Sequence, residues 1–146
     1  MFCYQCEQAL SGKGCVKVGV CGKDHETASL QDLLLYVAKG VSMYANRLRK
    51  MGVIDRPIDV AVTEYLFTTV TNVNFDADKL ADLVKAAADM REKARKLYEG
   101  VCAKNGKTPE TLAGPASVKI AAAKPKWSNR AKTYPSKKEK LNSATI

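Results

Sequence analysis

The chain has 146 residues, 46% of them hydrophobic and 27% charged, with a formal net charge of +9. That length suits one domain with its own core. It carries no apolar run near the ~20 residues a bilayer requires, and its opening, MFCYQCEQ, has neither the basic nor the apolar region of a secretory leader, so a cytoplasmic protein with reduced thiols is expected.

The first element is a loop over residues 1–23. Cys3, Cys6, Cys15 and Cys21 fall in it with the spacing C-x2-C-x8-C-x5-C, among Gly12, Gly14, Gly19 and Gly22. Four thiolates on a short, glycine-broken loop are the ligand set of an all-cysteine metal site, either an iron–sulfur cluster or a zinc ion. Disulfides are disfavoured by the expected compartment. Structural zinc sites usually pair two short knuckles, and here only Cys3 and Cys6 form one. Uneven spacing suits a cubane, whose corner irons need thiolates from different directions, and glycines let backbone N–H groups approach the sulfurs. The spacing favours iron–sulfur and leaves zinc open, since zinc tolerates many loops.

A helix is expected next. Leu30, Leu33, Leu34, Val37, Val41, Tyr44, Leu48 and Met51 recur at steps of three and four, which defines one helical face. Asp24 is placed to cap its start, Glu26 suits the positive end, and Gly52 is a natural stop. Residues 58–71, IDVAVTEYLFTTVT, are ambiguous: their β-branched residues favour a strand, while Ile58, Ala61, Val62, Tyr65, Leu66 and Val70 keep helical spacing. Between two long helices, a third helix gives the simplest common core. The last helix is marked by Asp76 as cap, with Phe75 placed to staple onto Leu80. It continues through Leu83, Val84, Ala87, Met90, Ala94, Leu97 and Val101 to Lys104 and Gly106.

Residues 107–146 differ in kind. They hold nine lysines and arginines against two glutamates, which leaves residues 1–106 nearly neutral. Prolines, serines and lysines with few large apolar residues predict a disordered, basic tail. Trp127 and Tyr134 within it would allow stacking and phosphate contact. A charge run of this kind is ordinarily a solvated surface, so the pattern does not argue for nucleic acid. Docking to an acidic redox partner fits better, because opposite charge speeds encounter.

The opening MFCYQCEQ, the CGK that begins at Cys21, the segment ETASLQDLLLYVAKGVSMYA and the later TVTNVNFD together resemble the hybrid-cluster (prismane, or hydroxylamine reductase) family, over about residues 1–106. The resemblance implies a helical fold and a [4Fe-4S] cluster held by Cys3, Cys6, Cys15 and Cys21. Members of that family are several times longer, and their hybrid cluster is held by His, Glu and Cys residues far downstream. This chain has one histidine, His25, and one further cysteine, Cys102, neither in a matching region. The expectation is therefore a non-catalytic electron-relay module that passes single electrons to a redox partner protein.

The expected fold is all-α: an antiparallel three-helix bundle at 24–106, the cysteine loop at 1–23, and the tail at 107–146. The alternative function is a structural four-cysteine zinc domain. The tail is expected to be either the mark of a truncated or frame-shifted product or a native basic extension; self-association stays open. Phe2 and Tyr4 either shield the cluster or pack at a domain edge. His25 is expected to be solvated, and Cys102 to be a small buried hydrophobe.

Overall fold

The computed structural model describes residues 1–70 and 74–120. Among these residues the fold is all-helical, with α1 at His25–Lys50, α2 at Arg56–Val70 and α3 at Ala77–Lys104. Short 3-10 turns lie at Leu10–Gly12 and Gly114–Ala116. No helix among the described residues is long and apolar enough to cross a membrane.

Each helix begins on an aspartate. The Thr27 N–H donates to Asp24 Oδ1 at 2.7 Å, and the Lys79 N–H donates to Asp76 Oδ1 at 3.1 Å. Asp55 does the same for α2, accepting from the Ile58 N–H at 3.0 Å. These carboxylates satisfy N–H groups that the helix itself leaves unpaired. The ambiguous third segment is thus a helix, and it starts two residues before the expected Ile58 because Asp55 caps it. Thr71, the last residue of that expected segment, and the Thr71–Val73 part of TVTNVNFD lie outside the described residues.

The ends of α1 and α3 share one solution. After α1, Gly52 takes φ +77°, its N–H donates to Arg49 O at 3.0 Å, and the Val53 N–H reaches back to Leu48 O at 2.9 Å. After α3, Gly106 takes φ +64°, its N–H donates to Ala103 O at 3.1 Å, and the Lys107 N–H reaches Cys102 O at 2.9 Å. Both are Schellman motifs, which need a residue free to adopt positive φ.

The helices run up, down and up. Leu30, Leu33, Leu34, Val37 and Ala38 of α1 pack with Ala61 and Tyr65 of α2 and with Leu80, Ala81, Val84 and Ala87 of α3. Toward the other end, Val41, Tyr44 and Leu48 of α1 meet Ile58 of α2 and Ala94, Tyr98 and Cys102 of α3. Tyr44 and Tyr98 stack at 5.9 Å between centroids, tilted by 45°. Leu30, Leu34 and Leu80 are fully buried, and each such side chain stabilises the fold by about 1.5–3 kcal/mol. Cys102 is buried in this cluster, as a small hydrophobe would be.

The chain does not leave the bundle at residue 107, where the sequence composition places the start of the tail. Residues 107–120 return along α1. The Glu110 N–H donates to the Tyr98 hydroxyl at 3.1 Å, and the Arg47 guanidinium donates to the Glu110 carboxylate at 2.6 Å. Ala116 is buried, and Val118 and Ile120 pack on the cluster around Leu30 and Leu34. Gly40 makes room for this strap: a Cβ there would stand 2.2 Å from Pro115 O. Arg91 of α3 lies beneath it and donates to Pro115 O at 3.3 Å. Composition missed the strap because its order rests on a few apolar side chains, Leu112, Ala116, Val118 and Ile120, and on the tyrosine, glycine and arginine beneath it. The rest of the expected tail, 121–146, with Trp127 and Tyr134, lies outside the described residues.

Candidate metal centre

The cysteine loop sits at the start of α1 and is shaped by few backbone bonds. Cys3 and Cys15 face each other as an isolated antiparallel bridge, with Cys3 N–H to Cys15 O at 2.9 Å and Cys15 N–H to Cys3 O at 2.7 Å. Cys6 lies on a turn closed by the Ala9 N–H donating to Cys6 O at 3.2 Å. Cys21 lies on a second turn, where Gly22 N–H donates to Gly19 O at 2.8 Å and Gly19 N–H donates to Lys23 O at 2.7 Å. Cys15 is buried, Cys3 half-buried, and Cys6 and Cys21 exposed; none of the five cysteines is in a disulfide.

The backbone thus pairs Cys3 with Cys15 and leaves Cys6 and Cys21 on separate exposed turns. Among the described residues, no three His, Cys, Asp or Glu side chains converge as a ready cation site. The donor set still fits an all-thiolate centre in its chemistry. Gly19 keeps the loop close to one sulfur, since a Cβ there would stand 3.1 Å from Cys21 Sγ, and Gly14 makes room for an aromatic ring, since a Cβ there would stand 2.7 Å from Phe2. Phe2 also stacks on Tyr4, 5.4 Å between centroids; Tyr4 is exposed and Phe2 half-buried. His25, in the first turn of α1, is exposed.

Sequence reasoning missed the residue that joins this loop to the bundle. Lys23 is 1% exposed. Its Nζ donates to Gln31 Oε1 at 2.6 Å, to Gln5 Oε1 at 2.9 Å and, more weakly, to Cys3 Sγ at 3.9 Å. The Phe75 ring lies 6.0 Å from the same nitrogen. Gln31 is itself buried, and its amide nitrogen donates to Asn74 O at 2.9 Å. One ammonium therefore bridges the loop, α1 and the entry to α3. The available signal was Gln31, a polar residue between Leu30 and Leu33 on an otherwise apolar stripe: a buried amide needs partners.

Asp24, next along the chain, has its carboxyl held below the usual carboxylate value of 3.8, chiefly by the Thr27 N–H that it accepts.

A family model described as the Prismane/CO dehydrogenase family matches residues 1–142, beyond residue 106, where the recognisable motifs stop. A hydroxylamine reductase of Rhodospirillum rubrum is 52% identical over 116 residues, covering 80% of this chain and 21% of the relative. One from Geobacter sulfurreducens is 50% identical over 124 residues, covering 84% and 22%. One from Halothermothrix orenii is 44% identical over 119 residues, covering 80% and 21%. The chain spans about a fifth of the length of the curated relatives it matches.

Proposed function

The chain belongs to the Prismane/CO dehydrogenase family, and from that premise we propose that Cys3, Cys6, Cys15 and Cys21 hold one [4Fe-4S] cluster and that the chain is an iron–sulfur electron-transfer module. The observation that carries the reading is the cysteine set itself: four thiols on one glycine-broken loop, outside any disulfide, inside the stretch shared with the family. Bound there, a cluster supplies a one-electron couple. The residues around it do the rest. The Cys3–Cys15 bridge fixes two ligand positions, and the turns at Cys6 and Cys21 leave two thiols on exposed, adjustable backbone. Closing the site then requires those turns to move toward the bridge, as binding-coupled folding of metal sites commonly does. Such a module would work in the cytoplasm, where thiols stay reduced. It would meet a redox partner protein, with the basic residues after Lys119 favouring an acidic docking surface.

The reductase activity in the relatives' names belongs to longer proteins, of which the matched stretch covers only 21% and 22%. We assign the present residues the relay part and expect no hydroxylamine turnover from them alone. Four thiolates would leave each iron of the cluster without an open position.

Anaerobic purification with visible absorption and iron, sulfide and zinc analysis tests the reading. Near four irons and four sulfides per chain, with a broad brown charge-transfer band, is the expected result. A colourless protein with one zinc would replace it with a structural zinc domain. Catalytic ammonia formation from hydroxylamine by the anaerobically reconstituted and reduced chain, abolished by Cys6→Ala, would overturn the relay assignment.

A further inference from the structure

We propose that Lys23 is a positioning residue of the metal centre, a fixed positive charge set against the Cys3 sulfur that makes the bound cluster easier to reduce; the inference rests on the cluster reading above.

The side chain is 1% exposed, and its polar partners are two amide oxygens and a cysteine sulfur. An ammonium removed from water is costly unless an opposite charge compensates it, and hydrogen bonds to neutral amides compensate only in part. A buried cation among neutral acceptors, beside a ligand sulfur, therefore points to an anionic group at that sulfur. A four-thiolate cubane is such a group. Its net charge is negative and grows by one on reduction, so a nearby cation stabilises the reduced form more than the oxidised one.

The geometry holds the charge in place. The Gln31 amide nitrogen donates to Asn74 O at 2.9 Å, which turns Oε1 toward Lys23. Gln5 approaches from the loop and closes the other side. The ammonium is thus fixed from α1, from the loop and from the α3 entry, and cannot swing to solvent as surface lysines do.

A purely mechanical anchor would show the same contacts, so the test must read charge. The full chain and its Lys23→Met, Lys23→Gln and Lys23→Arg variants are reconstituted anaerobically. Iron and sulfide per chain and the midpoint potential are then measured for each. The expected result is full cluster content in Lys23→Met with at least a tenfold lower ratio of reduced to oxidised cluster at fixed potential. That corresponds to a midpoint about 59 mV lower for a one-electron couple. Lys23→Arg should recover most of the shift, and Lys23→Gln, which can hydrogen-bond without charge, should not. Full cluster content with an unmoved potential in Lys23→Met or Lys23→Gln overturns the proposal and leaves an anchor. Loss of cluster from both neutral variants but not from Lys23→Arg supports a charge requirement; loss from all three overturns it. A wild-type chain that takes up zinc and no iron would sink the cluster reading first, before any comparison at Lys23.

Discussion

The bundle and the cysteine loop are ordered by different physics. In the bundle, Leu30, Leu34, Val37, Val41, Leu80 and Ala87 reach essentially zero exposure, and capped helices satisfy their own backbone groups. In the loop, Leu10, Val16, Val18 and Val20 are all more than half exposed. Order there comes from a two-residue bridge, tight turns and the Lys23 contacts. Apolar burial can fold the first region without help. The second lacks the buried surface to offset its chain entropy, so whatever gathers the thiols supplies much of its stability.

The largest effect that would break this contrast is loss of a ligand. Cys15→Ala should abolish the cluster or convert it to a three-iron form, while Cys102→Ala leaves iron and sulfide unchanged. Removing the metal from the wild type should raise amide hydrogen exchange through residues 1–23 while helical circular dichroism persists. A bundle that melts with the metal would show that the two regions are one cooperative unit.

Next comes the core. Leu34→Ala opens a cavity between α1 and its partners and should cost about 2–5 kcal/mol in urea unfolding. Cluster content per folded chain should stay normal, because Leu34 belongs to the region that orders itself. Gly40→Ala is smaller and tests the strap. The new methyl meets the Pro115 carbonyl, and overpacking of this kind costs about 1–3 kcal/mol. Helix propensity returns about 1 kcal/mol of that. The net loss should therefore be modest, and limited proteolysis should cut first within 107–120, as the strap is displaced before the helices yield.

Smallest is the cap where loop meets bundle. Asp24→Ala should cost about 1 kcal/mol, and Asp24→Asn much less, because asparagine also caps. The Asp24 carboxyl titrates below its usual 3.8 in the folded chain. Its contribution is therefore complete above that pH and fades as pH falls through the lower folded value. Unfolding of wild type and Asp24→Ala should differ at neutral pH and converge in strong acid. An Asp24→Ala variant with wild-type stability at pH 7 would mean that the loop, rather than the cap, fixes the start of α1.

The bundle was legible in the sequence because its signals are local. Asp24, Asp76, Gly52 and Gly106 mark ends, and the apolar steps between them mark the buried face. The α2 segment needed tertiary reasoning, since its β-branched residues point the other way. The cysteines were legible as a set, yet their arrangement was not: nothing in C-x2-C-x8-C-x5-C says that Cys3 pairs with Cys15 by backbone. Lys23 and the 107–120 strap were hidden for a related reason. Each depends on partners far along the chain: Gln5, Gln31 and Asn74 in one case, Gly40, Arg91 and Tyr98 in the other.

The strap also decides where the polypeptide departs. Helix α3 ends beside the last turns of α1, and a chain released there would leave at the pole opposite the cysteines. A helix the length of α1, 26 residues, spans about 39 Å. By running back past Gly40 to seat Val118 and Ile120 near Leu30 and Leu34, residues 107–120 recover much of that distance. Any polypeptide that follows Ile120 is thus tethered on the cysteine half of the molecule. A short tether at that point raises the effective concentration of whatever it carries around the thiols, so under the relay function proposed above the covalent connection itself would favour exchange there over exchange at the far pole.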